Sequence, residues 1–271
     1  MGLFQGAPDA HVRESGPFDV IGDVHGCHVE LEELLAQLGY EGLAGDGWDV
    51  DPADLPRHRE GRRVVFLGDL TDRGPDSIGT IQLAWRMHQA GMALLAPGNH
   101  DSKLLRYLRG RNVRLTHGAE TTAAEVQALS PAERERLRQV VEAMIGGAPP
   151  YLILDHGRLV VAHAGIRQDM VGDRSGRTED FVLYGDVNGQ TTAEGFPVRR
   201  DWAARYSGEA LVVYGHTPAR EAVFRNNTIN VDTGCVFGGS LTALRYPERD
   251  LVQVPAHETY WTPVHWSHVP A

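Results

Sequence analysis

The chain has 271 residues, 42% of them hydrophobic, with a formal net charge of -10 and a pI near 5.7. That length can bury a full core, and the acidic balance argues against a surface that coats nucleic acid broadly. There is no apolar run long enough to cross a membrane and no basic-then-apolar leader, and Cys27 and Cys235 are too few for a disulfide framework, so a cytoplasmic protein is expected.

Residues 1–16 are polar and punctuated by Gly and Pro, and read as a loose arm ahead of one domain over 17–271. The apolar run 18–21 predicts a buried strand ending in Gly22-Asp23-Val24-His25-Gly26. Leu31, Leu34, Leu35 and Leu38 then fall at helical spacing, closed by Gly39. Residues 40–62 read as a loop with a short strand pair. Residues 63–67 predict a second strand, ending in Gly68-Asp69-Leu70-Thr71-Asp72-Arg73-Gly74, and a helix over 77–90 follows. The strand at 92–96 leads into Gly98-Asn99-His100-Asp101. Strand-loop-helix units in series imply a largely parallel first sheet.

Residues 101–147 read as a helical insertion, with Ser130-Pro131-Ala132-Glu133 as a capping box. Beyond Pro149-Pro150 the pattern changes to short strands and tight turns at 155–157, 226–227 and 247–250, which predicts a second, mostly antiparallel sheet. Two of these strands end in His163-Ala164-Gly165 and Gly215-His216-Thr217-Pro218. The fold class expected is α/β, an αββα two-sheet sandwich with its site at the loop-bearing edge.

Asp, His and Asn without Cys make a ligand set suited to Mn, Fe or Zn. There are too many of them for one ion. Two ions need a bridging carboxylate, and such a pair activates water while clamping a phosphoryl group. Asp69 is the natural bridge, Asp23 and His25 serve one ion, and Asn99, His163 and His216 serve the other. Two divalent ions are therefore expected, Mn foremost, with Fe, Zn, Ni or Co as substitutes.

GDVHG, GDLTDRG, GNHD, HAG and GHTP, in that order, resemble the signature of the calcineurin-like metallophosphoesterases and of their phosphoprotein-phosphatase branch. The resemblance implies a dinuclear phosphoesterase in which His100 donates a proton to the leaving oxygen, Asp72 orients His100, and Arg73 and Asn99 bind the phosphate. Because GHTP has no second histidine after His216, the first ion rests on Asp23, His25, Asp69 and water. GNHD departs from the GNHE of protein phosphatases at Asp101, a position that touches no ligand.

Longer stretches, among them LGDLTDRGPDS and INVDTGCVFGGSLTALRYPERDL, look like the phosphatase module of bacterial polynucleotide kinase-phosphatases. No kinase P-loop is present, so separate kinase or ligase proteins are implied as partners. The likeness points to phosphomonoesters on nucleotides or RNA ends, with 2′,3′-cyclic phosphate as a companion substrate and no extended nucleic-acid footprint. The alternatives are a symmetrical diadenosine-tetraphosphate hydrolase, a serine/threonine protein phosphatase and, remotely, a non-catalytic phosphatase-like binding protein. The same likeness gives Arg199 a phosphate contact. Asp232 is expected to steady a ligating histidine, and the run from Lys103 to Arg114 to offer either a phosphate track or a solvated helix face.

Overall fold

The computed structural model describes residues 3–45, 47–48, 51–191 and 197–262. His265, His268 and the end of the 17–271 span lie outside the described residues. In the first half, β1 (Phe18–Ile21) is followed by α1 (His28–Leu38), the small pair β2 (Tyr40–Glu41) and β3 (Arg57–His58), then β4 (Arg63–Phe66), α2 (Ser77–Gln89) and β5 (Ala93–Leu95). Three helices follow, α3 (Asn99–Leu108), α4 (Ala119–Ala128) and α5 (Pro131–Val141). The second half runs β6 (Leu152–Leu154), β7 (Leu159–Val161), α6 (Gly176–Tyr184), β8 (Val187–Thr191), β9 (Pro197–Arg199), β10 (Leu211–Tyr214), β11 (Phe224–Arg225), β12 (Thr228–Asn230), β13 (Asp232–Thr233), β14 (Ser240–Tyr246) and β15 (Asp250–Pro255).

The period-two alternation of side chains sorts the core into layers. Val20 on β1 and Val65 on β4 face inward against Leu154, Leu159, Val161, Leu211 and Val213, forming one apolar layer between the two sheets. Their neighbours Ile21, Val64 and Phe66 point the other way, against α1 and α2. Across the second sheet, Ile153, Val160 and Val212 face outward to Phe181 and Trp202. Three apolar layers around two sheets make this the expected αββα sandwich.

Strand directions in the second sheet differ from expectation. Its order is β11-β12-β10-β7-β6, and β10 runs parallel to both β7 and β12, leaving only the two outer pairs antiparallel. The turns at 155–157 and 226–227 do make antiparallel hairpins. From β7 to β10, however, the chain passes through α6 and β8–β9, long enough for a crossover that returns parallel. The β14–β15 hairpin joins the first sheet, where β14 pairs antiparallel with β1. A strand leaving the second sheet at Asn230 is thus carried across the sandwich by β13.

The N-terminal segment, from Leu3 on, is not loose. Gln5 N–H donates to the Gly146 carbonyl at 3.0 Å, and the Pro8 and Glu14 carbonyls accept from Ile153 and Asp155 N–H at 2.8 Å each. Phe4 is buried in the first-sheet core. Glycine and proline mark irregular backbone, but here that backbone satisfies exposed groups on β6 and on the end of the insertion.

Candidate metal centre

The strand ends bring every predicted ligand to one edge. Asp23 and His25 follow β1, Asp69, Asp72 and Arg73 follow β4, and His163 and His216 follow β7 and β10. Asn99 and His100 open α3. Loops this close need glycine at the contacts: a Cβ on Gly98 would lie 2.1 Å from Asp69 Oδ1, and one on Gly215 would lie 2.3 Å from Asp23 Oδ1. Residues of these loops carry backbone strain. His25, Asp69, Asp72, Arg73 and His216 all have left-handed backbone, with φ of +48°, +48°, +77°, +74° and +72°. Such strain persists only where surrounding bonds hold it.

Asp101 provides much of that hold. Its Oδ2 accepts from the N–H groups of Asp69 and Gly98 at 2.8 Å each, and its Oδ1 from Leu70 at 3.0 Å. The fourth residue of GNHD therefore accepts only backbone N–H groups, and it fixes the backbone of Asp69, the expected bridge. Sequence reasoning passed over it. The available signal was an acidic residue in the first turn of a helix opening directly after a glycine.

The donor set fits two cations. Asp69 Oδ1 is anchored by the His100 N–H at 2.8 Å, while Oδ2 stands 3.7 Å from His25 Nε2 and 3.4 Å from His163 Nε2. His25 Nδ1 donates to the Thr71 carbonyl at 2.9 Å and His163 Nδ1 to the Leu67 carbonyl at 3.1 Å, which turns the Nε2 of each ring toward Asp69. His163 Nε2 also lies 3.1 Å from Asn99 Oδ1 and from His216 Nδ1. Asp69, Asn99, His163 and His216 thus bring oxygen and nitrogen ligand atoms around one buried place, a set suited to a divalent cation. Asp23 reaches the same place from beside His216, whose N–H donates to its carboxylate at 3.2 Å.

The electrostatics agree. Burial, and then the neighbouring Asp232 carboxylate, push Asp23 well above the usual carboxylate range. Burial and the Asp69 charge lift Asp101 to about 7, although three N–H donors favour its ionised form, and burial raises Asp232 to about 6. Burial would raise Asp69 too, but His163 and His100 beside it hold it well below the usual range. His163 itself rises to about 9, because Asp69 and Asp23 outweigh its burial. Burial first, then Arg73 for His25 and His163 for His216, keep those two imidazoles neutral, the form that ligates metal. Carboxylates crowded enough to raise both Asp23 and His163 suit added positive charge.

The expected proton donor, His100, is held between Asp72 and Arg73. His100 Nδ1 lies 2.6 Å from Asp72 Oδ2, and its Nε2 accepts from Arg73 at 2.9 Å. The other terminal nitrogen of Arg73 contacts His25 Nε2, and its guanidinium lies 5.4 Å over the Phe237 ring. The insertion supports this loop directly. Thr122 Oγ1 accepts from Asp72 N–H and Thr121 Oγ1 from Arg73 N–H, each at 3.0 Å, while the His117 carbonyl takes Arg73 Nε at 3.2 Å.

Arg199 stands on the opposite side, donating to His216 Nε2 at 2.8 Å and to the Tyr184 carbonyl at 3.1 Å. Asp232 accepts from its own turn, the Gly234 N–H at 3.0 Å, whereas backbone carbonyls orient the ligating rings of His25 and His163. The basic run is not one track. Lys103 donates to the Thr116 carbonyl at 2.9 Å, and Arg109, at the C-terminal end of α3 away from Asn99 and His100, pairs with Glu142 at 2.5 Å. Among the described residues no helix is long and apolar enough to cross a membrane.

A family model described as calcineurin-like phosphoesterase matches residues 16–220. The chain is 51% identical over 238 residues to the asymmetrical bis(5′-nucleosyl)-tetraphosphatase PrpE of Geobacillus thermodenitrificans, covering 88% of this chain and 94% of that one. Against the same-named protein of Bacillus subtilis it is 49% identical over 243 residues, covering 90% and 96%. A serine/threonine protein phosphatase structure from Saccharomyces cerevisiae superposes with a TM-score of 0.55 at 15% identity, covering 92% of this chain and 84% of that chain, a likeness of fold. These curated relatives are nucleotide hydrolases, where the sequence motifs had pointed to a polynucleotide-repair phosphatase.

Proposed function

The chain belongs to the calcineurin-like phosphoesterase family and is a phosphate-ester hydrolase, and from that premise we propose that it cleaves bis(5′-nucleosyl) tetraphosphates asymmetrically. The observation that carries this reading is the near full-length identity with the tetraphosphatases of Geobacillus thermodenitrificans and Bacillus subtilis. It favours a dinucleotide over the RNA end, and unequal products over the two equal halves of a symmetrical hydrolase. Water adds to a phosphorus next to the break, the bridging P–O bond breaks, and the products are a nucleoside triphosphate and a monophosphate.

In this reading Asp23, His25 and Asp69 hold one divalent ion, and Asp69, Asn99, His163 and His216 hold the other. Bound there, two such ions, manganese foremost, would neutralise phosphoryl charge and make water acidic enough to attack. The remaining work falls to side chains. Arg73 and Arg199 flank the centre from opposite sides, so two guanidinium groups are set to grip a chain of phosphates. A phosphate entering between them competes for the N–H that Arg73 gives to His100. As Arg73 turns to the phosphate, His100 Nε2 is freed to carry a proton to the leaving oxygen, with Asp72 stabilising the charged ring.

The test is a substrate panel with manganese and chromatographic identification of products. Diadenosine tetraphosphate should give the highest kcat/KM and yield ATP with AMP. Two equivalents of ADP would replace the asymmetrical assignment with the symmetrical one. Preference for a 3′-phosphorylated oligoribonucleotide, a ribonucleoside 2′,3′-cyclic phosphate or a phosphothreonine peptide would overturn the dinucleotide reading.

A further inference from the structure

A second cluster of metal-type donors lies beneath the catalytic edge, and the mechanism does not use it. Cys27, Glu30 and Cys235 are all buried, and one donor atom from each falls within 4.8 Å of the others. Cys27 and Cys235 lie in the apolar core behind the first sheet, where Cys27 Sγ stands 4.0 Å from the His25 carbonyl. Glu30 is the anomaly. It sits on α1 with no exposed surface. Its Oε1 accepts from the His257 N–H at 2.9 Å and from the Tyr260 hydroxyl at 2.8 Å. Its Oε2 is buried and accepts nothing among the described residues. A buried carboxylate oxygen without a partner is costly, more so when charged, so it is kept only where something offsets the loss.

Two thiols and a carboxylate are a borderline-soft donor set, unlike the oxygen and nitrogen donors of the catalytic centre. Zinc–sulfur and zinc–oxygen bonds of about 2.3 and 2.0–2.2 Å place neighbouring donors on one ion roughly 3.5–4 Å apart. The present spacing needs only a small closure to reach that.

We infer that Cys27, Cys235 and Glu30 form a separate structural site for a zinc-class divalent cation. The sulfurs give up their protons on binding, and water or the second carboxylate oxygen completes the coordination. The site would act as a staple. Cys27 directly follows the loop that carries Asp23 and His25, while Cys235 opens the turn whose Phe237 backs Arg73. Glu30 ties the C-terminal segment to the same point through His257 and Tyr260. A cation held there locks three segments under the catalytic loops without touching substrate.

Cobalt(II) tests this, because a cobalt–thiolate bond gives a near-ultraviolet charge-transfer band that oxygen and nitrogen donors cannot give. The full chain would be produced in cobalt-supplemented medium, so that the ion is present as the core closes. The expected result is a thiolate band and one cobalt beyond the catalytic complement. Cys235→Ser should abolish the band and lose that one ion, with turnover of p-nitrophenyl phosphate retained. Glu30→Gln keeps both sulfurs and the side-chain volume, and should keep a band while releasing the ion to a chelator at least about tenfold faster. Two free thiols titrated in urea from cobalt-saturated protein with no band would overturn the proposal. Recovery of a Cys27–Cys235 disulfide in place of the ion would overturn it as well.

Discussion

Asp101 gives the sharpest test of how the site is built, because its carboxylate holds backbone and not metal. In Asp101→Asn the amide oxygen can replace Oδ2 and keep the N–H groups of Asp69 and Gly98, both at 2.8 Å. Its NH2 then faces the Leu70 N–H, donor against donor, where Oδ1 stood at 3.0 Å. One buried donor without a partner costs about 1–3 kcal/mol. Asp101→Ala strands all three donors, which sets its cost at about 3–9 kcal/mol, comparable to the whole folding free energy of a domain. Urea unfolding of both variants, with m-values checked for constancy, measures these costs directly. Both variants should also bind manganese more weakly, since the left-handed backbone of Asp69 loses the bond that holds it. If Ala and Asn cost the same, or if Ala costs under about 1 kcal/mol, then Asp101 does not support the bridge and the account of the strained loops fails.

Asp69→Asn and His163→Ala should each lose bound ions and abolish turnover, as metal analysis alongside kinetics would show; full activity with a single ion per chain would count against the paired centre. His100→Ala should lose about 10²–10⁴-fold in kcat on alkyl phosphates, whose leaving groups need a proton, and far less on p-nitrophenyl phosphate; equal losses on both would remove His100 as the acid. Stability should fall in acid. The Arg62 guanidinium holds Glu248 below its ordinary 4.5, and the Tyr246 hydroxyl and Arg158, working against burial, hold Asp155 below 3.8. A carboxyl depressed in the folded state contributes stability above its unfolded value and loses it as pH drops through the folded one, so Tm should decline below about pH 4.5. Asp155→Asn should flatten that decline, and an unchanged acid slope would show that this carboxyl plays no part.

The candidate ligands could be picked out in the sequence because each follows an apolar run that could only be a buried strand. Strand ends of one sandwich necessarily share an edge, so Asp23, His25, Asp69, Asn99, His163 and His216 meet without further information. The capping box at Ser130 and the three tight turns were equally readable, since helix starts and hairpins are local physics. What tertiary structure alone decided depends on partners distant in the chain. The direction of β10 was open until a long crossover fixed it, and β14 had to find β1 across more than two hundred residues. The N-terminal segment has no periodicity to announce that it docks through its backbone on β6. Asp101 looked idle because its role is to accept N–H groups from a loop about thirty residues away. Residue types and local spacing determine which groups can do chemistry; which backbone is strained, and what holds it there, exists only once the loops are pressed together.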